Sequence, residues 1–396
     1  MYIFLLFSIL LSMIVIIKSL ISERYAIIFN PFFWVLILFI FYFQVPSAFA
    51  HEINYYFSWN IPSYNIEISW LISSAMVIFF TLCMLVVKTI QPAALNINNT
   101  YSCARSITII WWGISLYLIS ILLYRGMNDG LSMTTNYTGE GGDVFKIKNV
   151  AYLLLPVSIL LFFSKKSLLV FCPNIIIVVL DVLSGSRTTA LIAVVPIAVS
   201  LCIMYRRLYV VPISIMVCGL ILIGIIRSNN VIQDVPWYLN AMGEFRETYI
   251  TLPMFISNQE YVGRGDAYTM LASSMLALLQ PIRGEILSSI VLPGDFIYSW
   301  VGRGYGLGAN IITEVIYYGY VFLLIIPIAL FSLCMFINFL IRNSSPPKIA
   351  IHISLFIIFS RLIFREGLFL NVGLYLFVFA VYVLPIILIN RTKVNE

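Results

Sequence analysis

The sequence predicts an all-α, polytopic transmembrane protein, and that prediction depends on its composition and on the lengths of its apolar runs. Hydrophobic residues make up 61% of the 396 residues, charged residues make up 10%, and the mean hydropathy is +1.00. A soluble domain carries about 25% charged residues, so a chain this poor in charge has too few to cover a water-facing surface. The apolar runs are instead close to the ~18–20 residues that cross a hydrocarbon core.

The apolar runs predict about eleven membrane spans. Their approximate bounds are 2–17, 26–48, 67–87, 106–124, 149–164, 168–184, 188–205, 208–226, 309–340, 350–364 and 368–389. The run from 309 to 340 is longer than one straight span needs, so we expect it to tilt or to begin outside the bilayer. No linker or internal repeat divides the sequence, which we treat as one integral membrane domain, 1–396.

The basic residues orient the predicted spans. Short loops on one side hold Lys18, Lys88, Arg105, Lys165 and Arg206, among others, and basic short loops face the cytoplasm. The N-terminus is then outside and the C-terminus inside, which requires an odd number of spans. The formal charge of +6 places basic loops against anionic lipid, and nothing in the sequence indicates nucleic-acid binding.

The largest predicted outer loop runs from 227 to 308. Loops of this size usually carry structure or function of their own. The run 266–282 within it is apolar and compatible with a helix, but Pro281 breaks it and Arg264 and Arg283 flank it. This favours a re-entrant or interfacial helix, and hence a partly helical loop. A twelfth span is the alternative, and it would reverse the orientation of everything that follows.

Arginine dominates the basic residues that are left on the outer side, where the positive-inside rule predicts few. These arginines are Arg125, Arg187, Arg227, Arg246, Arg264, Arg283, Arg303, Arg361 and Arg365. Arg361 and Arg365 are four residues apart, so they share one helix face at the outer end of the predicted span 350–364. Planar guanidinium groups suit phosphate oxygens. The alternative is a pair of anchors that snorkel to the membrane surface, for which lysine would serve as well.

Two further arginines have acidic residues close by in the sequence. Glu244 and Glu247 flank Arg246 in "MGEFRETYITLP" (242–253), which is either part of a site or a surface salt-bridge cluster. Asp181 precedes Arg187 across the turn in "DVLSGSRTTA" (181–190), where an ion pair and a functional arginine are both possible and can coexist.

The stretch "GRGYGLGANIITEVIYYGY" (302–320) combines alternating glycines, Arg303 and the start of a helix near Ala309. Alternating glycines let a backbone pass close to a ligand, and a helix N-terminus beside an arginine favours an anion. Glu314 lies inside this helix, with Tyr317 and Tyr318 on its side at i+3 and i+4. A carboxylate at an apolar boundary is a candidate general base or acid. The alternative is a structural partner for an outer arginine.

These residues resemble the signature of the Wzy-type O-antigen polymerases, a glycine-rich turn followed by Glu, Tyr and Gly. The arginines of "SGSRTTAL" and "RLIFREG" are similar to further features of these membrane polymerases and of the related O-antigen ligases. The layout of many spans with a large outer loop late in the chain is also similar. A ligase is expected to have a histidine in that loop, whereas His51 lies elsewhere, and this favours a polymerase.

The resemblance implies a GT-C-like membrane glycosyltransferase of the bacterial inner membrane, with its active site facing the periplasm. Such an enzyme transfers a growing glycan from undecaprenyl pyrophosphate onto a hydroxyl of the next lipid-linked repeat unit. Arginines would stabilise the charge that develops on the pyrophosphate. No cofactor is implied, and because the outer loops lack a DxD motif we expect the reaction to be independent of metal. A chain-length regulator protein is a partner that the resemblance leaves open.

The predicted site residues follow from this implied chemistry. The candidate catalytic residues are Glu314 first, with Glu244 and Asp266 in reserve. The predicted pyrophosphate-binding residues are Arg187, Arg303, Arg361, Arg365 and Arg246, and the predicted sugar-binding residues are Tyr305, Tyr317 and Tyr318. The aromatic stretches "NYYFSW" and "VPWYLN" either stack on sugars or belong to the aromatic belt at the membrane surface.

Three other functions stay open. An O-antigen ligase is the nearest alternative among enzymes. A flippase for the same lipid-linked oligosaccharide would need charges along the whole membrane depth, whereas the charges here cluster at one face. A glycosyltransferase that uses a polyprenyl-phosphate monosaccharide would need paired acids in the first outer loop, where His51 and Glu52 are a weak substitute.

Overall fold

The structure is a computed structural model that describes residues 1–87, 105–129, 142–183, 190–208, 235–266, 309–342 and 344–369. Every regular element in these ranges is helical. The α-helices are, in chain order, α1 (Tyr2–Glu23), α2 (Pro31–Phe39), α3 (Val45–Ala48), α4 (Ala50–Tyr56), α5 (Ser63–Val86), α6 (Arg105–Asp129), α7 (Gly142–Lys165), α8 (Cys172–Leu183), α9 (Ala190–Tyr205), α10 (Trp237–Met242), α11 (Glu244–Ser257), α12 (Ile311–Tyr318), α13 (Ile325–Arg342) and α14 (Pro346–Glu366).

Within the described ranges, five helical stretches are long and apolar enough to cross a membrane. They are Tyr2–Phe29, Pro31–Ala48, Ser63–Val86, Tyr320–Arg342 and Pro346–Glu366. This confirms the prediction of an all-α protein with transmembrane helices. The count of about eleven spans and their orientation stay predictions. The predicted span 208–226 and most of the span 368–389 lie outside the described residues.

The predicted span 309–340 is not one continuous helix, because this run forms two α-helices. That it tilts or begins outside the bilayer stays a prediction. α12 ends at Tyr318, Gly319 has a φ of +128°, and a 3-10 turn over Tyr320–Leu324 leads into α13. Glycine, which has no Cβ, adopts such a φ without strain. Only the part from Tyr320 to Arg342 has the length and composition of a span among these residues.

The chain forms two compact units. Unit 1 comprises Met1–Ile90, Ile221–Phe339 and Phe359–Phe377, and unit 2 comprises Gln91–Leu220, Leu340–Ile358 and Val378–Glu396. The single integral membrane domain, 1–396, stays a prediction.

Unit 2 is held together by α6 to α9. α6 packs against α7 and α8, and both of these helices pack against α9. A buried chain of hydrogen bonds links three of them: Trp111 Nε1 donates to the Ser158 hydroxyl at 3.0 Å, and that hydroxyl donates to Asn174 Oδ1 at 3.0 Å. Such interhelical bonds contribute about 0.6–2 kcal/mol each within a bilayer.

Unit 1 is built on α5, against which α1, α2 and α11 pack. Its buried contacts include polar groups: Gln44 Nε2 donates to the Ser8 hydroxyl of α1 at 2.7 Å, and the hydroxyls of Ser69 in α5 and Tyr249 in α11 lie 2.7 Å apart. The outer face of α1 exposes apolar side chains such as Ile3. Polar groups inside and apolar side chains outside are typical of a helix in lipid.

Asn310 fixes the start of α12, close to the predicted start near Ala309. As the N-cap residue it accepts the N–H groups of Ile312 and Thr313 on Oδ1, at 3.0 and 2.8 Å. Its Nδ2 donates to the Thr248 carbonyl at 2.7 Å and to the Thr251 hydroxyl at 2.8 Å, both on α11. One buried side chain therefore caps α12 and joins it to α11.

Asn310→Ala removes the helix cap and the link to α11, and it is expected to lower the free energy of unfolding by about 2–4 kcal/mol, the sum of a lost cap and two lost buried hydrogen bonds. Asn310→Ser is the matched control, because a serine hydroxyl still caps the helix but does not replace Nδ2. We expect Asn310→Ser to recover about 1 kcal/mol of the loss. Reversible unfolding in mixed detergent micelles measures the unfolding free energy of each variant. Equal losses in Asn310→Ala and Asn310→Ser would show that the cap contributes nothing.

Candidate functional site

Two arginines at the end of α14, both predicted site residues, contact the same predicted site glutamate, which belongs to α11. Arg361 Nη2 donates to both carboxylate oxygens of Glu244, each at 2.8 Å. Arg365 Nε lies 3.6 Å from Glu244 Oε1. The two arginines are one helical turn apart, so α14 presents both on the face that the sequence predicts. We call Arg361, Arg365, Glu244 and the neighbouring Tyr42 the arginine cluster, and all four belong to unit 1.

The backbone around Glu244 explains how its carboxylate reaches α14. α10 ends at Met242, and Gly243, with a φ of +44°, turns the chain directly into α11. Glu244 is therefore the first residue of α11. A carboxylate in the first turn of a helix is stabilised by the unpaired N–H groups there. Glu244 therefore lies at a helix N-terminus, a position that favours a negatively charged side chain.

Tyr42 completes the arginine cluster, and sequence reasoning missed it. Its hydroxyl donates to Glu244 Oε1 at 2.8 Å, and its ring packs edge-on against Phe245 with 4.8 Å between centroids. Tyr42 lies in a π-helical turn over Ile40–Gln44. Such turns insert one extra residue into a helix and are frequent at functional sites. The only signal in the sequence is the pair of polar groups, Tyr42 and Gln44, inside an apolar run.

Exposure differs across the arginine cluster. The side chains of Arg361, Glu244 and Arg365 are 12%, 22% and 31% exposed. Arg365 Nη1 also lies 3.7 Å from Glu366 Oε1. Arg361 is therefore the enclosed member, and Arg365 is the one that an external anion reaches most readily. Planar guanidinium groups on one side of a half-buried carboxylate are suited to bidentate contacts with phosphate oxygens.

Arg246, also predicted to bind pyrophosphate, makes a separate set of contacts. It is buried, and its Nη1 donates to the Leu239 carbonyl at 3.0 Å while Nη2 donates to Glu247 Oε1 at 3.2 Å. Its guanidinium carbon lies 3.8 Å from the centre of the Phe57 ring. These contacts join α10, α11 and the end of α4. They explain Arg246 as a structural residue, and its role in binding pyrophosphate stays a prediction.

Glu314, the first catalytic candidate, is buried in α12 with 4% of its surface exposed. Its Oε2 accepts the backbone N–H groups of Leu368 and Phe369, the second at 3.0 Å. These residues directly follow Gly367, whose φ is +114°. The structure therefore places this carboxylate against the backbone just beyond the arginines of α14.

Tyr317 and Tyr318, predicted to bind sugar, are 4% and 5% exposed and pack in a cluster with Phe255 and Ala309. Their rings lie 5.2 Å apart. The backbone at Gly265 covers them. Gly265 N–H donates to the Tyr317 carbonyl at 3.0 Å, and a Cβ on Gly265 would lie within 2.6 Å of both rings.

The backbone at Gly265 also brings a third candidate carboxylate close to α12. Asp266 is exposed and directly follows Gly265. The structure therefore places Asp266 beside the end of α12 that carries the two tyrosines. The catalytic role of Asp266 and the sugar-binding roles of Tyr317 and Tyr318 stay predictions.

A hydrogen bond joins the two predicted outer loops that carry the aromatic stretches, within unit 1. The Tyr238 hydroxyl donates to Glu52 Oε2 at 2.5 Å, and this hydrogen bond, with a smaller effect from burial, raises the pKa of Tyr238. Trp237 and Tyr55 nearby in sequence are 69% and 78% exposed. The contact joins "VPWYLN" to α4, which carries Glu52 and the first residues of "NYYFSW". Sugar stacking and a membrane-surface belt both stay open for these aromatic side chains.

Several predicted site residues lie outside the described residues. They are Arg187, Arg303 and Tyr305, together with the predicted helix at 266–282 and most of the loop 227–308. In the part of the chain that the structure describes, no group of three or more His, Cys, Asp or Glu side chains is arranged to hold a metal ion.

Comparison with known proteins leaves the site to be interpreted from its own chemistry. No family model, no curated protein and no solved structure matches the chain.

Proposed function

We propose that this protein is a Wzy-type polymerase of undecaprenyl-pyrophosphate-linked oligosaccharide repeat units. It would act in the synthesis of O-antigen or another surface polysaccharide, as a multi-pass enzyme of the bacterial inner membrane with its site facing the periplasm. The observation that carries the proposal is the convergence of Arg361 and Arg365 on Glu244 at one end of a candidate membrane span. Charged groups at such a position are costly in lipid and are typical of a functional site.

The chemistry needs anion stabilisation at the membrane surface. An oxygen of the acceptor sugar forms a bond to the anomeric carbon of the donor glycan, and the bond from that carbon to the pyrophosphate oxygen breaks. The acceptor hydroxyl loses its proton to a base, and undecaprenyl pyrophosphate leaves with the bonding electrons. Arginines that are already oriented stabilise this leaving group without reorganising during the reaction.

The arginine cluster supports a division of labour in this reaction. Arg361 is oriented by its two contacts with Glu244 and by the hydrogen bond that Tyr42 makes to the same carboxylate. Arg365, which is more exposed, would make the first contact with the pyrophosphate. Glu244 thus keeps both guanidinium groups in place when no substrate is bound. Glu244 and Asp266 stay candidates for the group that takes the proton.

The proposal is tested by deleting the gene in its native host and resolving the lipopolysaccharide on a gel. We expect the ladder to collapse to the core carrying one repeat unit. Wild type should restore the ladder, whereas Arg365→Ala should restore it only weakly, because losing one such donor lowers a rate by about 10²–10³-fold. Arg365 is the better target than Arg361, since its side chain is more exposed and its loss disturbs packing less.

Arg342→Ala is the matched control, because Arg342 is an exposed arginine at the end of α13. It should restore a full ladder. Fluorescent fusions confirm that each variant reaches the membrane. If the deletion also removes the single repeat unit, the protein is a flippase or a ligase and the proposal is wrong.

A further inference from the structure

We infer that Glu314 is a positioning residue, which holds the arginine-bearing end of α14 by accepting backbone N–H groups from the residues after it. The identity of the anion that the arginines bind rests on the proposed function. The contacts of Glu314 do not depend on it. Glu314 is 4% exposed and belongs to α12, whereas the backbone that it contacts follows α14, 54 and 55 residues later in the chain.

The backbone beyond α14 needs an acceptor at this point. α14 ends at Glu366, Gly367 breaks the helix with a φ of +114°, and a new helical turn begins at Leu368. The first N–H groups of a helix have no partner within it. Glu314 Oε2 accepts those of Leu368 and Phe369. It therefore acts as an N-cap supplied by another helix, and its negative charge suits a helix N-terminus.

Gly367 lets this carboxylate approach. A Cβ at this position would lie 2.4 Å from Glu314 Cδ and 2.6 Å from each carboxylate oxygen. Real Cβ atoms do not come that close, so only glycine leaves room for the side chain in its present place. The contact between the Glu314 carboxylate and this backbone therefore requires a glycine at position 367.

Glu314 closes a frame of three polar contacts in unit 1. Asn310 joins α12 to α11, and Arg361 joins α14 to α11 through Glu244. Glu314 joins α12 to the backbone that follows α14. Each of the three segments is thereby fixed to the other two. Because Arg365 lies two residues before Gly367, its position depends on the hydrogen bonds between Glu314 and the backbone that follows Gly367.

This role differs from that of a general base in a way that one substitution separates. Glutamine has the shape of glutamate and keeps an oxygen that accepts both N–H groups, but it does not take a proton from a hydroxyl. A positioning residue therefore tolerates glutamine and not alanine, whereas a base tolerates neither.

The experiment compares Glu314→Gln and Glu314→Ala with wild type in the complemented deletion strain and as purified protein in detergent. We expect Glu314→Gln to give a ladder and a Tm close to wild type. Glu314→Ala should shorten or abolish the ladder and lower the Tm by about 5 °C. Glu260→Ala, at an exposed carboxylate of unit 1, controls for the loss of a negative charge and should match wild type.

A second readout separates positioning from stability alone. Inorganic pyrophosphate should raise the Tm of wild type, because a ligand that binds the folded protein stabilises it. We expect this increase to persist in Glu314→Gln and in Ser158→Ala, which loses buried hydrogen bonds in unit 2. It should be absent in Glu314→Ala, whose arginines are no longer held.

Two results would overturn the inference. A Glu314→Gln protein with the Tm of wild type and no ladder would make Glu314 a catalytic base. A Glu314→Ala protein that keeps both its Tm and its response to pyrophosphate would exclude the anchoring role. Failure of the proposed function has a different signature, because it is read from the deletion strain without complementation. That strain would then lack even the single repeat unit, or would keep its full ladder, while the Tm values of the two Glu314 variants still report on the anchor.

Discussion

Glu244→Ala is expected to destabilise the protein by about 3–4 kcal/mol, because it leaves two half-buried arginines without the carboxylate that separates their charges. Arg361 loses two hydrogen bonds at 2.8 Å, and the buried Tyr42 hydroxyl loses its acceptor. Glu244 is 22% exposed, so water screens part of the lost attraction. The measurement is the free energy of unfolding in mixed detergent micelles.

Arg361→Ala provides the second side of a double-mutant cycle. Removing Glu244 and Arg361 together removes a charge pair and leaves Arg365 with Glu366, which lies 3.7 Å from it. We expect the double variant to be more stable than the sum of the single losses by about 2–3 kcal/mol. Additive losses would mean that the ion pair contributes no coupling, and the arginine cluster would then have to be held by packing alone.

The Glu244 carboxylate offsets the charge of the two arginines at the end of a candidate membrane span. Unpaired guanidinium groups within a span are costly, and a carboxylate at a helix N-terminus offsets that cost. The same carboxylate keeps the guanidinium groups oriented, which lowers the entropy lost when an anion binds. Arg365 Nε is 3.6 Å from Glu244, beyond a normal hydrogen-bond distance. Of these two arginines, Arg365 therefore has the weaker interaction with Glu244.

The sequence predicted those parts of the site that depend on one helix. Arg361 and Arg365 were expected on one face from their spacing, and the structure confirms it. The start of α12 was expected near Ala309, close to where Asn310 caps it. Helical periodicity and capping act within a few residues, so the order of residues is enough to reveal them.

The partners of those residues were not predictable from spacing. Glu244 lies 117 residues before Arg361, and its sequence neighbour Arg246 instead contacts Leu239 and Glu247. Which helices face one another depends on packing, which periodicity along one helix does not report. Likewise the break at Gly319 is hidden by unbroken hydropathy on both sides of it.

Gly367→Ala is expected to be among the most damaging changes to a residue without a functional group, with a loss of about 2–5 kcal/mol. Two causes add: an alanine is strained at positive φ, by about 1–2 kcal/mol, and its Cβ overpacks the site, by about 1–3 kcal/mol. The Cβ would lie 2.4 Å from Glu314 Cδ. The carboxylate must then leave the N–H groups of Leu368 and Phe369, and the end of α14 loses its anchor.

Gly263→Ala is the matched control, since Gly263 also has a positive φ, +72°, but has open space where a Cβ would lie. It should therefore show the backbone strain alone, about 1–2 kcal/mol. Combining Gly367→Ala with Glu314→Ala tests the clash itself, because the shorter side chain vacates the space that the new Cβ needs. We expect the effect of Gly367→Ala to fall to about that of Gly263→Ala in this background. If the loss stays as large when Glu314 is gone, the clash is not its cause, and Gly367 is required for its backbone conformation alone.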